Sequence, residues 1–251
     1  MFTFNCHFLD SNILLGKVYS DNANNGNSIW SLYFKHEFTR YISNRVENES
    51  KNVITKLRRV SLRILKFVEN YIINSDYINP IKVDSIIRKL KTRFLKIYES
   101  EKFPEELKRE KFIKIVNDLF NKYYNGFRDD MIDNSTMKIE SFKEDSKQTF
   151  KNCYTELDIL ISRLNKNSFY LEDNSRLESQ IKNIGIHRAD ILILLDCYIL
   201  SNQLNNKIAF ITQDKEITSN LNNIKSVLNN GFYIFDPNNY LSDKYHFISI
   251  Y

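Results

Sequence analysis

The sequence is poor in glycine, proline and cysteine, and each shortage excludes a class of protein. Its 251 residues include five glycines and three prolines. These are too few turn residues for a loop-rich all-β fold, so we expect long helices. The three cysteines, Cys6, Cys153 and Cys197, lie far apart, without zinc-ligand spacing or a disulfide framework. This usage predicts reduced thiols and a cytoplasmic location.

Long apolar stretches and targeting segments are also lacking. The sequence does not open with a basic segment followed by an apolar run, so we expect no signal peptide. The most apolar window, ADILILLDCYIL, is too short to span a bilayer and contains Asp196. We therefore expect no membrane partner. The formal net charge of +5 is compatible with a polyanionic partner but does not by itself indicate one.

The apolar pattern predicts an α/β protein with a central parallel β-sheet flanked by helices. Short apolar segments typical of buried strands lie near both ends of the sequence: residues 2–9, TRYIS, KIAFIT, GFYIFDP and YHFISIY. Helical segments separate them, as in a parallel sheet that is covered on both faces. Residues 74–183 have helical periodicity almost throughout. We predict a discontinuous domain formed by 1–73 and 184–251, with an all-helical insertion at 74–183.

Three acidic residues lie where strands end or a buried helix begins. Asp10 follows the first predicted strand, Asp214 follows the strand IAFIT, and Asp190 lies in the first turn of an apolar helix. Ligand sites in open α/β sheets lie beyond the carboxyl ends of the strands. We therefore expect these acids at one rim of the sheet. Considered alone, Asp10 and Asp214 are better explained as helix caps, and Asp190 suits the dipole of its helix.

A fourth acid, Glu49, lies on an apolar helix face. At about 100° per residue it falls within a stripe that spans roughly 80° and is formed by Val46, Val53, Leu57, Val60, Ile64 and Phe67. An acid on a buried stripe is costly unless it is paired or coordinated. A Lys or Arg from a neighbouring helix is the alternative partner. We expect Glu47 to face water and Asp196 to be structural.

Carboxylates that converge at one rim favour a bound cation. Without one, they would raise each other's pKa values. Carboxylate oxygens and water suit Mg²⁺ or Mn²⁺, and no His or Cys cluster supports zinc. If Asp10, Glu49, Asp190 and Asp214 converge, we expect Mg²⁺ or Mn²⁺ between them; helix capping and ion pairing remain the alternatives.

Four short motifs in order resemble those of PIN-domain (PIN-like) nucleases. They are FLDSNILLG, YISNRVENE, HRADILIL and AFITQDKEI. The resemblance implies a central parallel sheet and metal-dependent hydrolysis of phosphodiester bonds, usually in RNA. It also implies that Asp10, Glu49, Asp190 and Asp214 form the site, with Asn12 and Thr212 as polar supports beside the acids. The chain departs from a minimal member by the long stretch between Glu49 and Asp190.

The insertion and a basic stripe are the candidate binding surfaces. The insertion would cover the site, select a substrate or mediate assembly, so a homodimer or a protein partner is possible there. On one helix face, about 100° from the apolar stripe, lie Lys56, Arg59, Arg63 and Lys66. Such a stripe would neutralise RNA phosphates. An ordinary solvated face is the alternative.

Together these features predict an endoribonuclease, a hydrolase acting on phosphodiester bonds. One alternative is a non-catalytic PIN-like protein that binds RNA or acts as an assembly scaffold. Another is a helical interaction protein in which the α/β frame is accidental.

Overall fold

The computed structural model of the protein describes residues 6–22, 29–73, 92, 135–167, 174–204, 208–228 and 232–235. The strands within these ranges are β1 (Cys6–Leu9), β2 (Thr39–Ser43), β3 (Asn165–Asn167), β4 (Ile208–Ile211) and β5 (Phe232–Phe235). The helices are α1 (Ser11–Asn22), α2 (Ile29–Lys35), α3 (Asn44–Ile73), α4 (Ser135–Ser162), α5 (Ser175–Lys182), α6 (Arg188–Leu204), α7 (Lys215–Ser219) and α8 (Leu221–Val227).

The five strands form one parallel sheet in the order β3-β2-β1-β4-β5. From β1 the chain builds outward to β2 and β3, then returns to the other side of β1 for β4 and β5. The strand order therefore reverses between β1 and β4. The predicted α/β class, a parallel sheet flanked by helices, is confirmed.

The centre of the sheet is apolar because β1 and β4 are covered on both faces. All four residues of β4 are buried, and so are Phe8 and Leu9 of β1. The rings of Phe8 and Phe210 stack across the two strands with centroids 6.0 Å apart. Such continuous apolar runs are typical of parallel strands. The central strands thus form a rigid base for the loops that follow them.

A close approach between α1 and α2 requires a glycine. A Cβ atom added to Gly16 would lie 2.5 Å from the indole ring of Trp30, which is far inside van der Waals contact. The missing side chain lets the indole lie directly against α1, close to the turn that begins at the end of β1.

Two compact units divide the chain. One comprises Met1–Asn52 and Asn152–Tyr251 and contains all the described strands; the other comprises Val53–Lys151. These limits differ from the predicted boundaries after residues 73 and 183. Most of the segment predicted to be helical between 74 and 134 lies outside the described residues, as does the predicted strand YHFISIY.

The prediction that 74–183 is all-helical is wrong at β3. Residues Asn165–Asn167 pair in parallel with Tyr41–Ser43 of β2. The sequence Asn-Lys-Asn has no apolar residue, so its pattern contains no strand signal. Backbone hydrogen bonds to the edge of β2 form the strand instead.

Among the described helices, none combines the length and apolar character that a bilayer span requires.

Candidate functional site at the reversal of strand order

Two loops meet where the strand order reverses. Asp10 follows β1 and Thr212 follows β4, and the backbone N–H of Asp10 donates to the carbonyl of Ile211 at 3.1 Å. This bond extends the pairing of the two strands into the loops. Crevices at such a point, beyond the carboxyl ends of the strands, are where open α/β sheets bind ligands. The topology therefore puts Asp10 and Thr212 at the position where a ligand site is expected.

The Asp10 carboxylate is buried and accepts hydrogen bonds from Ser11, Asn12 and Thr212. Asp10 is 3% exposed to solvent. Oδ1 accepts the backbone N–H of Ser11 at 2.7 Å, while Oδ2 accepts Asn12 Nδ2 at 2.7 Å and the Thr212 hydroxyl at 2.6 Å. Hydrogen bonds to an ionised acceptor are short and strong. The carboxylate is thus held in one orientation from both loops.

Thr212 connects the two acids of the rim. Its hydroxyl donates to Asp10 and accepts from Asn12 Nδ2 at 3.1 Å and from the backbone N–H of Asp214 at 2.9 Å. One donated and two accepted bonds are the full capacity of a hydroxyl group. In addition, Asn12 Oδ1 accepts the backbone N–H of Gln213 at 3.1 Å. We call Asp10, Asn12, Thr212 and Asp214 the switch-point cluster.

Asp214 caps the helix that follows β4. Its Oδ1 accepts the backbone N–H groups of Glu216 at 2.6 Å and Ile217 at 3.1 Å, at the start of α7. The capping alternative therefore applies to Asp214. Both bonds use the same oxygen, and among the described residues Oδ2 receives no hydrogen bond. Capping thus leaves one carboxylate oxygen for a ligand.

The other two predicted acids come from helices. Asp190 lies in the first turn of α6 and is 8% exposed, and Glu49 is half-buried in the second turn of α3. Within the described ranges, which include all four carboxylates, no group of three or more His, Cys, Asp or Glu side chains forms a ready metal site. The structure thus brings together Asp10, Asn12, Thr212 and Asp214. Convergence of all four acids on one ion stays a prediction.

The expectation that Glu47 faces water is wrong. Its side chain is 15% exposed and pairs with Lys51 Nζ at 2.9 Å and Lys166 Nζ at 2.5 Å. Hydrogen bonds from Lys166 and then Lys51 lower the pKa of Glu47 below its usual range. Lys166 belongs to β3, the strand that the sequence pattern did not show. Helical periodicity alone therefore misjudged this side chain.

An ion pair that the sequence did not indicate accounts for the burial of Asp196. The side chain of Asp196 is 2% exposed, and its Oδ2 lies 3.4 Å from Arg45 Nε. Burial raises the pKa of Asp196, and the nearby Ser43 and Arg45 offset that rise only in part. Asp196 was expected to be structural, but its partner was missed. An arginine at the start of a helix has no pattern that distinguishes it from a solvated residue.

The basic stripe lies on α3 within the Val53–Lys151 unit. Arg59 and Lys66 are exposed and Lys56 is half-buried, whereas the side chain of Arg63 lies outside the described residues. Its role in binding nucleic acid stays a prediction.

Comparison of the chain with models of known families, with curated proteins and with solved structures finds no match in any of the three.

The donor set of the rim fits a hard divalent cation. Its side chains offer oxygen atoms, which Mg²⁺ and Mn²⁺ prefer. Mg²⁺ usually binds through one or two carboxylates, with waters and substrate phosphates completing its shell. Asp10 and Asp214 would supply two such carboxylates if their oxygens converge on one ion. The chemistry of the cluster thus agrees with Mg²⁺ or Mn²⁺ rather than with zinc.

Proposed function

We propose that the protein is a PIN-like, metal-dependent endoribonuclease that hydrolyses phosphodiester bonds in RNA. One observation carries the proposal: the buried carboxylate of Asp10 is held by Asn12 and Thr212, from two loops, at the point where the strand order reverses. A residue that only capped α1 would not need the Thr212 hydroxyl from the loop after β4. The motif resemblance to PIN-like nucleases supports the same assignment, although the long stretch between Glu49 and Asp190 departs from a minimal member of that family.

In this proposal Asp10, Glu49, Asp190 and Asp214 hold Mg²⁺ or Mn²⁺. When bound, the ion lowers the pKa of a coordinated water and neutralises charge on the scissile phosphate. The chain itself supplies orientation, because Asn12 and Thr212 fix the Asp10 carboxylate before substrate arrives. Capping of α7 fixes the Asp214 side chain in the same way. No side chain of the protein needs to act as a nucleophile.

A nuclease assay with a matched acid control tests the proposal. The protein is incubated with single-stranded and structured RNA and DNA in the presence of Mn²⁺, Mg²⁺ or EDTA. We expect RNA cleavage that requires the metal and falls more than about 100-fold in Asp10→Asn, with an unchanged circular dichroism spectrum. The control is Asp158→Asn, which removes an acid of the same unit whose exposed side chain pairs with Lys51 at 3.0 Å. This control should cleave as the parent does.

Metal-dependent cleavage that survives in both Asp10→Asn and Asp190→Asn would sink the site assignment. RNA binding without cleavage under any metal condition would instead favour the non-catalytic RNA-binding scaffold.

A further inference from the structure

Arg45 lies at the same rim of the sheet as Asp10. In the parallel register Phe8 is beside Tyr41. Continued by two residues, this register puts Asp10 level with Ser43, the last residue of β2. Neighbouring strands are about 4.8 Å apart, and Arg45 follows Ser43 by two residues, in the first turn of α3. An arginine backbone is therefore one strand away from the proposed site.

The side chain of Arg45 pairs with a buried carboxylate and is itself partly exposed. Its Nε lies 3.4 Å from Oδ2 of Asp196, whose side chain is 2% exposed, whereas the side chain of Arg45 is 37% exposed. Within the described part of the chain, Arg45 makes no second ion pair and no other side-chain hydrogen bond. A guanidinium group has five N–H donors, four of them on its two Nη atoms. The ion pair at Nε thus leaves the four Nη donors without an ion pair or hydrogen bond in the described part of the chain.

We infer that Arg45 is a phosphate-contacting residue of this rim and that Asp196 is its positioning residue. The inference deepens the proposed function, on which it rests, by naming how the RNA backbone is held beside the cluster. A planar guanidinium binds a phosphate through two parallel hydrogen bonds, which the point charge of a lysine does not reproduce. Because Asp196 already orders the arginine in the folded protein, less conformational freedom is lost when RNA binds.

A purely structural pair is the competing explanation. If Arg45 only neutralised the buried carboxylate, removing both charges together would leave RNA affinity unchanged. Removing Arg45 alone would lower stability, because it would leave Asp196 buried and unpaired. The double variant Arg45→Gln/Asp196→Asn avoids that unpaired charge. It therefore separates loss of binding from loss of folding.

RNA binding is measured apart from cleavage. We would use fluorescence anisotropy of a short, fluorescein-labelled single-stranded RNA in EDTA at several salt concentrations. The variants are Arg45→Gln, Arg45→Lys, Asp196→Asn and the double variant, each checked by circular dichroism. The matched control is Arg163→Gln. Arg163 is an exposed arginine of the same unit, and it precedes β3 at the amino ends of the strands.

We expect Arg45→Gln and the double variant to bind RNA about 10-fold more weakly than the parent. The slope of log affinity against log salt should fall by about 0.7, the value for one phosphate contact of a single strand. Arg45→Lys should keep the salt dependence of the parent but bind RNA more weakly, since lysine retains the positive charge without the planar guanidinium. Asp196→Asn should keep the slope and weaken binding less than Arg45→Gln does. Arg163→Gln should match the parent.

Two results overturn the inference: a double variant that binds RNA with the affinity and slope of Arg163→Gln, or a parent chain that binds no RNA. Failure of the proposed function is distinguishable from either, because it appears as cleavage that Asp10→Asn does not change. Arg45-dependent binding in EDTA would remain measurable in that case.

Discussion

Buried polar side chains have different kinds of partners at the two ends of the parallel sheet. Toward the amino ends, His7 of β1 is fully buried, and its Nδ1 lies 2.6 Å from the Tyr33 hydroxyl. The His7 ring stacks on Phe38 with centroids 4.1 Å apart. Arg40 donates to the carbonyls of Tyr33 at 3.0 Å and His36 at 2.5 Å, and its guanidinium lies 5.0 Å from the centroid of the Phe34 ring. At this end, the polar groups of His7 and Arg40 contact the Tyr33 hydroxyl, aromatic rings and main-chain carbonyls.

At the carboxyl ends, side chains from distant parts of the sequence bond to one another instead. Asp10 and Thr212 are 202 positions apart, and their direct contact is 2.6 Å long. The side chains of His7, Tyr33 and Phe38 at the amino ends complete a core. The switch-point cluster instead fixes the direction of a carboxylate and leaves an oxygen of Asp214 available. Burial of a polar group is therefore a weak sign of function. We expect the mutual orientation of side chains from separate segments to be a stronger one.

Thr212→Val, at the carboxyl ends of the strands, should have the largest effect on RNA cleavage. The change removes a donor from Asp10 and an acceptor from Asn12 and Asp214, while the side-chain volume is nearly kept. We expect RNA cleavage to fall about 10–100-fold, the usual effect of losing a group that orients a metal-binding carboxylate. Initial rates at saturating Mg²⁺ measure it.

The control for that change is Thr218→Val, since the hydroxyl of Thr218 donates only to the main-chain carbonyls of Asp214 and Lys215. It should cleave at close to the parental rate. Full activity in Thr212→Val would show that its hydrogen bonds do not orient a functional Asp10.

Tyr33→Phe, at the amino ends of the strands, should lower the stability of the protein and leave RNA cleavage unchanged. It removes the hydroxyl that contacts buried His7, so the free energy of unfolding should fall by about 1–3 kcal/mol. Cleavage by the folded protein should not change. Urea denaturation and the nuclease assay, performed on the same sample, measure the two quantities.

Tyr198→Phe is the matched control because Tyr198 is a half-buried tyrosine whose hydroxyl has no hydrogen-bond partner in the described structure. Its stability should stay within about 0.5 kcal/mol of the parent. A Tyr33→Phe protein of normal stability and reduced cleavage would end the distinction between the two ends.

Glu47 should contribute a smaller effect that depends on pH. Lys166 and Lys51 lower the pKa of Glu47 in the folded protein below its usual value of 4.5. The folded state therefore prefers the ionised carboxylate, so this stabilisation is present above pH 4.5 and is lost as pH falls through the lowered pKa. We expect Glu47→Gln to remove about 0.2–1 kcal/mol of stability at neutral pH and none in acid.

Urea denaturation of the parent and Glu47→Gln at several pH values measures that difference. Glu37→Gln, which changes an exposed acid, is the control and should follow the parent at every pH. A loss of stability in Glu47→Gln that is equal in acid and at neutral pH would contradict the role of the two lysines.

Some features of the rim were predictable from local sequence. Asp10 with Asn12 and Thr212 with Asp214 directly follow apolar strands, and parallel strands end at one rim, so their proximity follows from order and strand direction alone. The partners of Asp196 and Glu47 were not predictable in this way. Arg45 reaches Asp196 from another helix, and Lys166 reaches Glu47 from a strand without any apolar residue.

By itself, the sequence determined the α/β class and the position of four rim residues, because apolar periodicity and chain direction are local properties that survive in any packing. The tertiary structure decided which side of β1 received β4, which charges paired, and that Asn165–Asn167 became a strand. Those outcomes depend on backbone hydrogen bonds and on distances between segments that are remote in the chain. The apolar periodicity of a segment indicates neither its backbone hydrogen bonds to other segments nor its distance from them.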